Sequence, residues 1–122
     1  DIQVIGPDAS FRELIELIRV GKRNMIAVVN DTGMLEGVIS LDDIRPVMFN
    51  EQLYETLSVR KVMTSHPSFI HIDDDMRFII KKFDETATWN LPVLDDNEHF
   101  VGFISKSGIL NRYRQLLKEY SM

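Results

Sequence analysis

The sequence contains itself twice. The stretch VIGPDASFRELIELIRVGKRNMIAVVNDTGMLEGVISLDDI, starting at Val4, lies over FIHIDDDMRFIIKKFDETATWNLPVLDDNEHFVGFISKSGI, starting at Phe69, without a gap. At this constant offset of 65 residues Asp8 falls on Asp73, Ile15 on Ile80, Val28 on Val93, Asp31 on Asp96, Gly37 on Gly102, Ile39 on Ile104, Ser40 on Ser105 and Ile44 on Ile109. A repeat of this length is one supersecondary unit used twice.

Each half carries the same run of signals. A short strand (Ile2 to Ile5; Ser68 to Ile72) leads to a helix start. In the first half this is Ser10 with Glu13 three residues later, followed by Phe11, Leu14, Ile15 and Ile18 at helical spacing and Gly21 as a stop. In the second half Asp73 to Asp75 precede Phe78, Ile79 and Phe83 and read as helix caps. Two β-rich runs follow, Met25 to Asn30 and Leu35 to Ser40, joined by Asp31-Thr32-Gly33; Leu91 to Leu94 and Phe100 to Ser105, joined through Asp95 to Glu98, repeat them. A closing helix is expected over Leu41 to Met48 and again from Lys106 to about Glu119, with a helical connector carrying Tyr54 and Leu57 over Asn50 to Met63. The expected fold is mixed α/β: two tandem βαββα units, at 1–49 and 64–122, with the connector at 50–63. One unit alone could hardly bury its sheet and helices, so the pair is expected to pack face to face around a pseudo-twofold axis.

Composition narrows the function. The 122 residues are 44% hydrophobic, enough for a real core. A net charge of -5 opposes the basic footprint that nucleic acids and anionic lipid surfaces select, so neither is an expected partner. With no Cys, disulfides, thiolate metal sites and a Cys nucleophile are excluded. No apolar run approaches the roughly 20 residues that cross a bilayer, so the segment is expected to be soluble and not to insert directly. It begins at Asp1 inside a strand pattern and reads as a piece of a larger protein. His66, His71 and His99 lack tight ligand spacing, and Asp95 to Glu98 lacks the Gly and closing Glu of a calcium loop, so no metal site is expected. No nucleophile elbow, phosphate loop or credible carboxylate pair is present, so binding is expected and catalysis is not.

VRKVMTSHPSFIHIDDDMRFII, followed by VGFIS, resembles the entry and exit of a CBS domain, and the first half, ending Gly37-Val38-Ile39-Ser40-Leu41-Asp42-Asp43-Ile44, resembles the same module without its leading Val-Met-Thr element. The resemblance implies a CBS pair, or Bateman module: regulatory, commonly binding adenine nucleotides (AMP, ADP or ATP) in clefts between the copies, with no required cofactor, and dimerising through its helical faces. LDDIRPVMFNEQLYETLSVRKVM and the ending YRQLLKEYS are similar to the cytoplasmic tail of bacterial ClC-type chloride channels and transporters. That would put the module on the cytoplasmic face of the cell membrane, joined to a membrane-embedded channel part of the same polypeptide. The rival contexts are a soluble enzyme under CBS regulation and a free-standing metabolite sensor.

The family's ligand motif runs Gly, two apolar residues, Ser or Thr, two residues, Asp. The first copy keeps it as Gly37, Ser40 and Asp43. The resemblance implies that Ser40 offers a hydroxyl beside a helix start suited to phosphate, that Asp43 accepts from the ribose hydroxyls, and that Thr64, Ser65, His66 and Pro67 face the base. The competing reading is that Ser40 caps its helix and Asp43 balances the dipole. The second copy keeps Gly102 and Ser105 but has Gly108 in place of Asp. Losing a charged hydrogen-bonding partner costs about 1.5–3 kcal/mol, roughly tenfold to a hundredfold in affinity, so the second site is expected to be weak or empty. In eukaryotic ClC tails the second copy's Asp usually holds the ribose, and this chain departs from that. Lys22 and Arg23 could reach phosphates or compensate a helix dipole, and Trp89 could stack on a base or fill space.

Overall fold

The computed structural model describes residues 3–21 and 23–121. The chain divides into two compact units, Asp1–Pro67 and Ser68–Met122. The first holds β1 (Val4–Ile5), α1 (Phe11–Val20), β2 (Met25–Val29), β3 (Leu35–Ser40), α2 (Leu41–Ile44), a 3-10 turn (Glu51–Leu53), α3 (Val59–Val62) and β4 (Thr64–Ser65). The second holds β5 (Ile70–His71), α4 (Met76–Thr86), β6 (Asn90–Leu94), β7 (Phe100–Ser105) and α5 (Lys106–Ser121).

The 65-residue offset holds in hydrogen bonds as well as in letters. Ser10 and its counterpart Asp75 are the N-caps of α1 and α4, accepting from the amides of Glu13 at 3.1 Å and Phe78 at 2.8 Å. In the hairpins, Asn30 accepts from the amides of Thr32 and Met34, and Asp95 from those of Asn97 and His99, all within 3.0 Å. Each turn then needs one left-handed residue, supplied by Gly33 (φ 85°) and Glu98 (φ 66°). The antiparallel registers match as well, Met25 opposite Ser40 and Asn90 opposite Ser105, with irregularities after Val28 and Val93. Asp95 is thus occupied as a turn former, and those bonds hold its carboxyl below the usual carboxylate range, the backbone amide of His99 contributing most.

The sheets differ in size: β1-β2-β3-β4 in the first unit, β5-β6-β7 in the second. In the first, one sheet face carries Ile26, Val28 and Ile39, all at most 3% exposed, onto Phe11, Leu14 and Ile15 of α1 and Ile44 of α2. In the second, Ile70, Ile79, Phe83 and Leu91 form the corresponding cluster.

Three expectations need correction. The helix expected over Leu41 to Met48 stops at Ile44, because Pro46 cannot donate to the carbonyl four residues back and its ring crowds that carbonyl. Its counterpart Asn111 has neither defect, and α5 runs on to Ser121. The connector is not one helix over Asn50 to Met63 but a 3-10 turn and the four-residue α3, with Tyr54 8% exposed and Val59 fully buried in the first unit's core. Thr64 and Ser65, assigned to the second repeat, pair with the first unit's sheet. The strand expected from Ile2 begins, among the described residues, at Val4; Ile2 and Lys22 lie outside them.

Candidate functional site

Strand β3 and the start of α2 carry the motif residues. Gly37 is buried, opposite Val28 on one side and Ser65 on the other. A Cβ there would stand 2.7 Å from Met63 Sδ and 2.8 Å from the Thr64 carbonyl oxygen. Glycine is therefore what admits β4 to the sheet.

Ser40 ends β3 as the N-cap of α2, with extended backbone (φ -90°, ψ 135°), yet its side chain accepts no capping bond. Asp42 pairs with Arg45 at 2.7 Å, while among the described residues Asp43 is exposed with no ion pair of its own. The Leu41 amide donates to the Asn24 carbonyl at 2.9 Å, which leaves the next amides of the turn for a ligand. With only four residues, α2 contributes a few free amides and little macrodipole, so the phosphate argument from the helix dipole is weaker than the sequence implied.

The second copy resolves the same elements differently. Lys106 donates to the Trp89 carbonyl as Leu41 does to Asn24, but Ser105 Oγ accepts the Gly108 amide at 3.1 Å. A Cβ on Gly108 would stand 2.9 Å from that hydroxyl. Ser105 is a working cap, and the missing Asp leaves the room in which it caps.

The antiparallel register sorts the remaining predicted residues. Thr64 opposes Val38, and Ser65 opposes Gly37. Because directly opposed residues share a face and successive ones alternate, Thr64 lies on the face of Val38 and Ser40, whereas Ser65 lies on the core face with Gly37 and Ile39. β4 also runs away from Ser40, so Ser65 stands roughly 10 Å along the strand from it at about 3.3 Å per residue. The structure brings Thr64 to the side of Ser40 and carries His66 and Pro67 progressively further. His66 is exposed with φ 53°, a left-handed conformation uncommon outside glycine and unusual before proline.

One group the sequence reading missed is Arg60, which reaches Glu36 at 2.9 Å and Asp8 at 3.4 Å and tethers α3 to the start of the repeat. Its contacts are separated by 24 and 52 residues, so no local pattern announces them. Trp89 is 70% exposed with Lys106 Nζ 5.3 Å from its ring centroid, so it is not filling space. Arg23 is exposed. Among the described residues no helix is long and apolar enough to cross a membrane.

The chain belongs to the CBS domain family, whose model matches residues 1–50 and 59–115. It carries the domain twice, as a tandem pair. It is 26% identical over 112 residues to inosine-5'-monophosphate dehydrogenase of Halobacterium salinarum, covering 92% of this chain and 22% of the relative. The curated relatives it matches are all much longer; the chain spans 18% to 36% of their lengths. Among solved structures, CBSX2 in complex with AMP superimposes with a TM-score of 0.79 at 23% identity, covering 95% of this chain and 90% of that one. The cytosolic domain of the magnesium channel MgtE in complex with ATP gives 0.76 at 20% identity, covering 90% and 44%. At these identities the likeness shows the fold.

Proposed function

We propose that this CBS pair is a regulatory module that binds an adenine nucleotide at the first copy's motif, with Ser40 and Asp43 as the polar contacts and Thr64 on the same sheet face. The observation that carries this is the contrast between copies. Ser105 caps its helix, whereas Ser40, at the equivalent place, makes no capping bond and stands three residues from an unpaired Asp43. Two polar side chains that do nothing for the fold are available for a ligand. The AMP and ATP complexes of CBSX2 and MgtE support adenine nucleotides as the ligand class. Gly37 serves by admitting β4, and Ser65, His66 and Pro67 shape the strand exit rather than line the Ser40 end.

The module acts on something larger than itself. The stretch LDDIRPVMFNEQLYETLSVRKVM and the ending YRQLLKEYS favour the cytoplasmic tail of a ClC-type chloride channel, paired with a second copy. The dehydrogenase similarity, over 92% of this chain, favours the second reading, a CBS pair attached to a soluble enzyme. In either setting regulation requires a ligand that binds one state of the assembly better than another, typically by about 1–3 kcal/mol.

Calorimetric titration with AMP, ADP and ATP, in parallel on an Asp43→Ala variant, tests the proposal. Micromolar binding weakened at least tenfold by the substitution is the expected result. Absence of heat and of thermal shift with all three nucleotides would reduce the pair to a scaffold.

A further inference from the structure

The two units treat the same groove in opposite ways. In the first, α1 and the segment after α2 are covered by the connector. The Tyr54 ring lies 5.9 Å from Phe11, Val59 is fully buried, and Leu53, Leu57 and Val62 pack on the same core. The contact is also made through backbone. The first two amides of α1, those of Phe11 and Arg12, donate to the carbonyls of Leu57 at 2.8 Å and Tyr54 at 3.1 Å. The Val59 and Arg60 amides donate back to Ala9 and Pro7, both at 2.9 Å. Arg60 then reaches Asp8, and β4 adds a fourth strand beside β3.

At the 65-residue offset the second unit has all the receiving parts. Met76 and Ile80 stand where Phe11 and Ile15 stand, but instead of being covered they line an apolar cavity of about 570 Å³ between α4 and α5, closed by Leu110 and Tyr113 and flanked by Asp75 and Arg77. A smaller cavity of about 190 Å³ shares Ile80 and Leu110 and reaches Phe83. Among the described residues the Met76 and Arg77 amides, counterparts of the two donors above, find no carbonyl outside their helix. Where Asp8 meets Arg60, Asp73 meets another acid, Asp96. Where β3 is paired by β4, β7 is a sheet edge among the described residues.

We propose that the α4/α5 groove and the β7 edge of the second unit form one docking surface for a polypeptide segment of connector type from outside residues 1–122. That segment would place apolar side chains at the spacing of Tyr54, Leu57 and Val59 in the groove and offer carbonyls to the Met76 and Arg77 amides. A basic residue would meet Asp73, and a short strand would run along β7. Four features call for these parts together: the apolar cavity, two free helix amides, an acidic pair and an open edge. The connector of a second copy is not the occupant, because the first unit already holds its own through four backbone hydrogen bonds. The assignment stands whether or not a nucleotide binds at Ser40 and Asp43.

The test uses the whole chain and a synthetic peptide with the sequence of residues Leu53 to Ser65, followed by amide hydrogen exchange. Expected are saturable binding at up to millimolar peptide and slowed exchange at Met76, Arg77 and the β7 edge. Binding is expected to weaken at least tenfold with Tyr113→Glu or Ile80→Glu, and severalfold when the peptide carries Glu in place of Arg60. Tyr113 is 42% exposed, so its substitution leaves the fold intact and keeps the test valid if Ile80→Glu unfolds. Lack of saturable binding would overturn the assignment, as would protection confined to residues before Ser68. Light scattering that shows a dimer converted to monomer by Tyr113→Glu would also overturn it, by giving the groove to a second copy.

Discussion

Single residues explain most of what separates the two copies. The sequence shows Ser40 and Ser105 as equivalent letters, but only Ser105 caps, because Gly108 leaves its hydroxyl room to meet the amide. A Gly108→Asp change, the literal restoration of the motif, is therefore expected to displace the cap and lower stability by about 1 kcal/mol, read as a fall in Tm. Gly37→Ala is expected to cost about 1–3 kcal/mol, because the added methyl meets Met63 and the Thr64 backbone at under 3 Å. Chemical denaturation with circular dichroism measures it. Asp96 supplies a pH dependence. Its side-chain hydrogen bond and charge repulsion with Asp73 raise its pKa above the ordinary carboxylate value. The folded state then holds a proton more tightly than the unfolded chain. Stability from this pair is fully present below the unfolded pKa, near 4, and falls as pH rises through the raised value. Asp96→Asn is expected to flatten this acid-range decline in a series of melting curves and to raise Tm at neutral pH.

At the scale of elements, the parts with local signals were legible and the parts set by distant contacts were not. Caps at Ser10 and Asp75, the hairpin turns and the run of α5 are written in neighbouring residues and stand where the sequence places them. The shortness of α2 was also written, in Pro46, but the apolar residues Val47 and Met48 continued the helical pattern past it. The connector misled for a different reason. Tyr54 and Leu57 have helical spacing, yet they are held by Phe11 and by amides of α1 more than 40 residues away, and those tertiary bonds override the local preference. Tyr54 also donates its hydroxyl to the Met48 carbonyl at 2.9 Å and lies under Arg12. Tyr54→Ala is expected to destabilise the first unit by about 3–5 kcal/mol, with exchange in β1 to β4 accelerating before exchange in β5 to β7. The candidate site was half legible: the motif named Ser40 and Asp43, but only the strand register reveals that Thr64 shares their face while Ser65 does not.

For the molecule as a whole, the repeat dictated two like units and could not dictate that they be unequally finished. Val28, Ile39 and Ile44 are at most 2% exposed, while their counterparts Val93, Ile104 and Ile109 are only partly buried. The strand β4 and the connector make the difference, and both follow the first repeat in sequence while completing it in space. Native-state hydrogen exchange is therefore expected to rank the β6 and β7 amides below those of β2 and β3 in protection.

The lone tryptophan gives this asymmetry an optical signature. Trp89 is mostly in solvent, with an ammonium group over its ring and its carbonyl tied to the first amide of α5. Its emission should be red-shifted and open to collisional quenchers in the native state, and should respond when Lys106 moves. The chain thus carries one fluorophore, in its less finished half, able to report opening there while the first half stays dark.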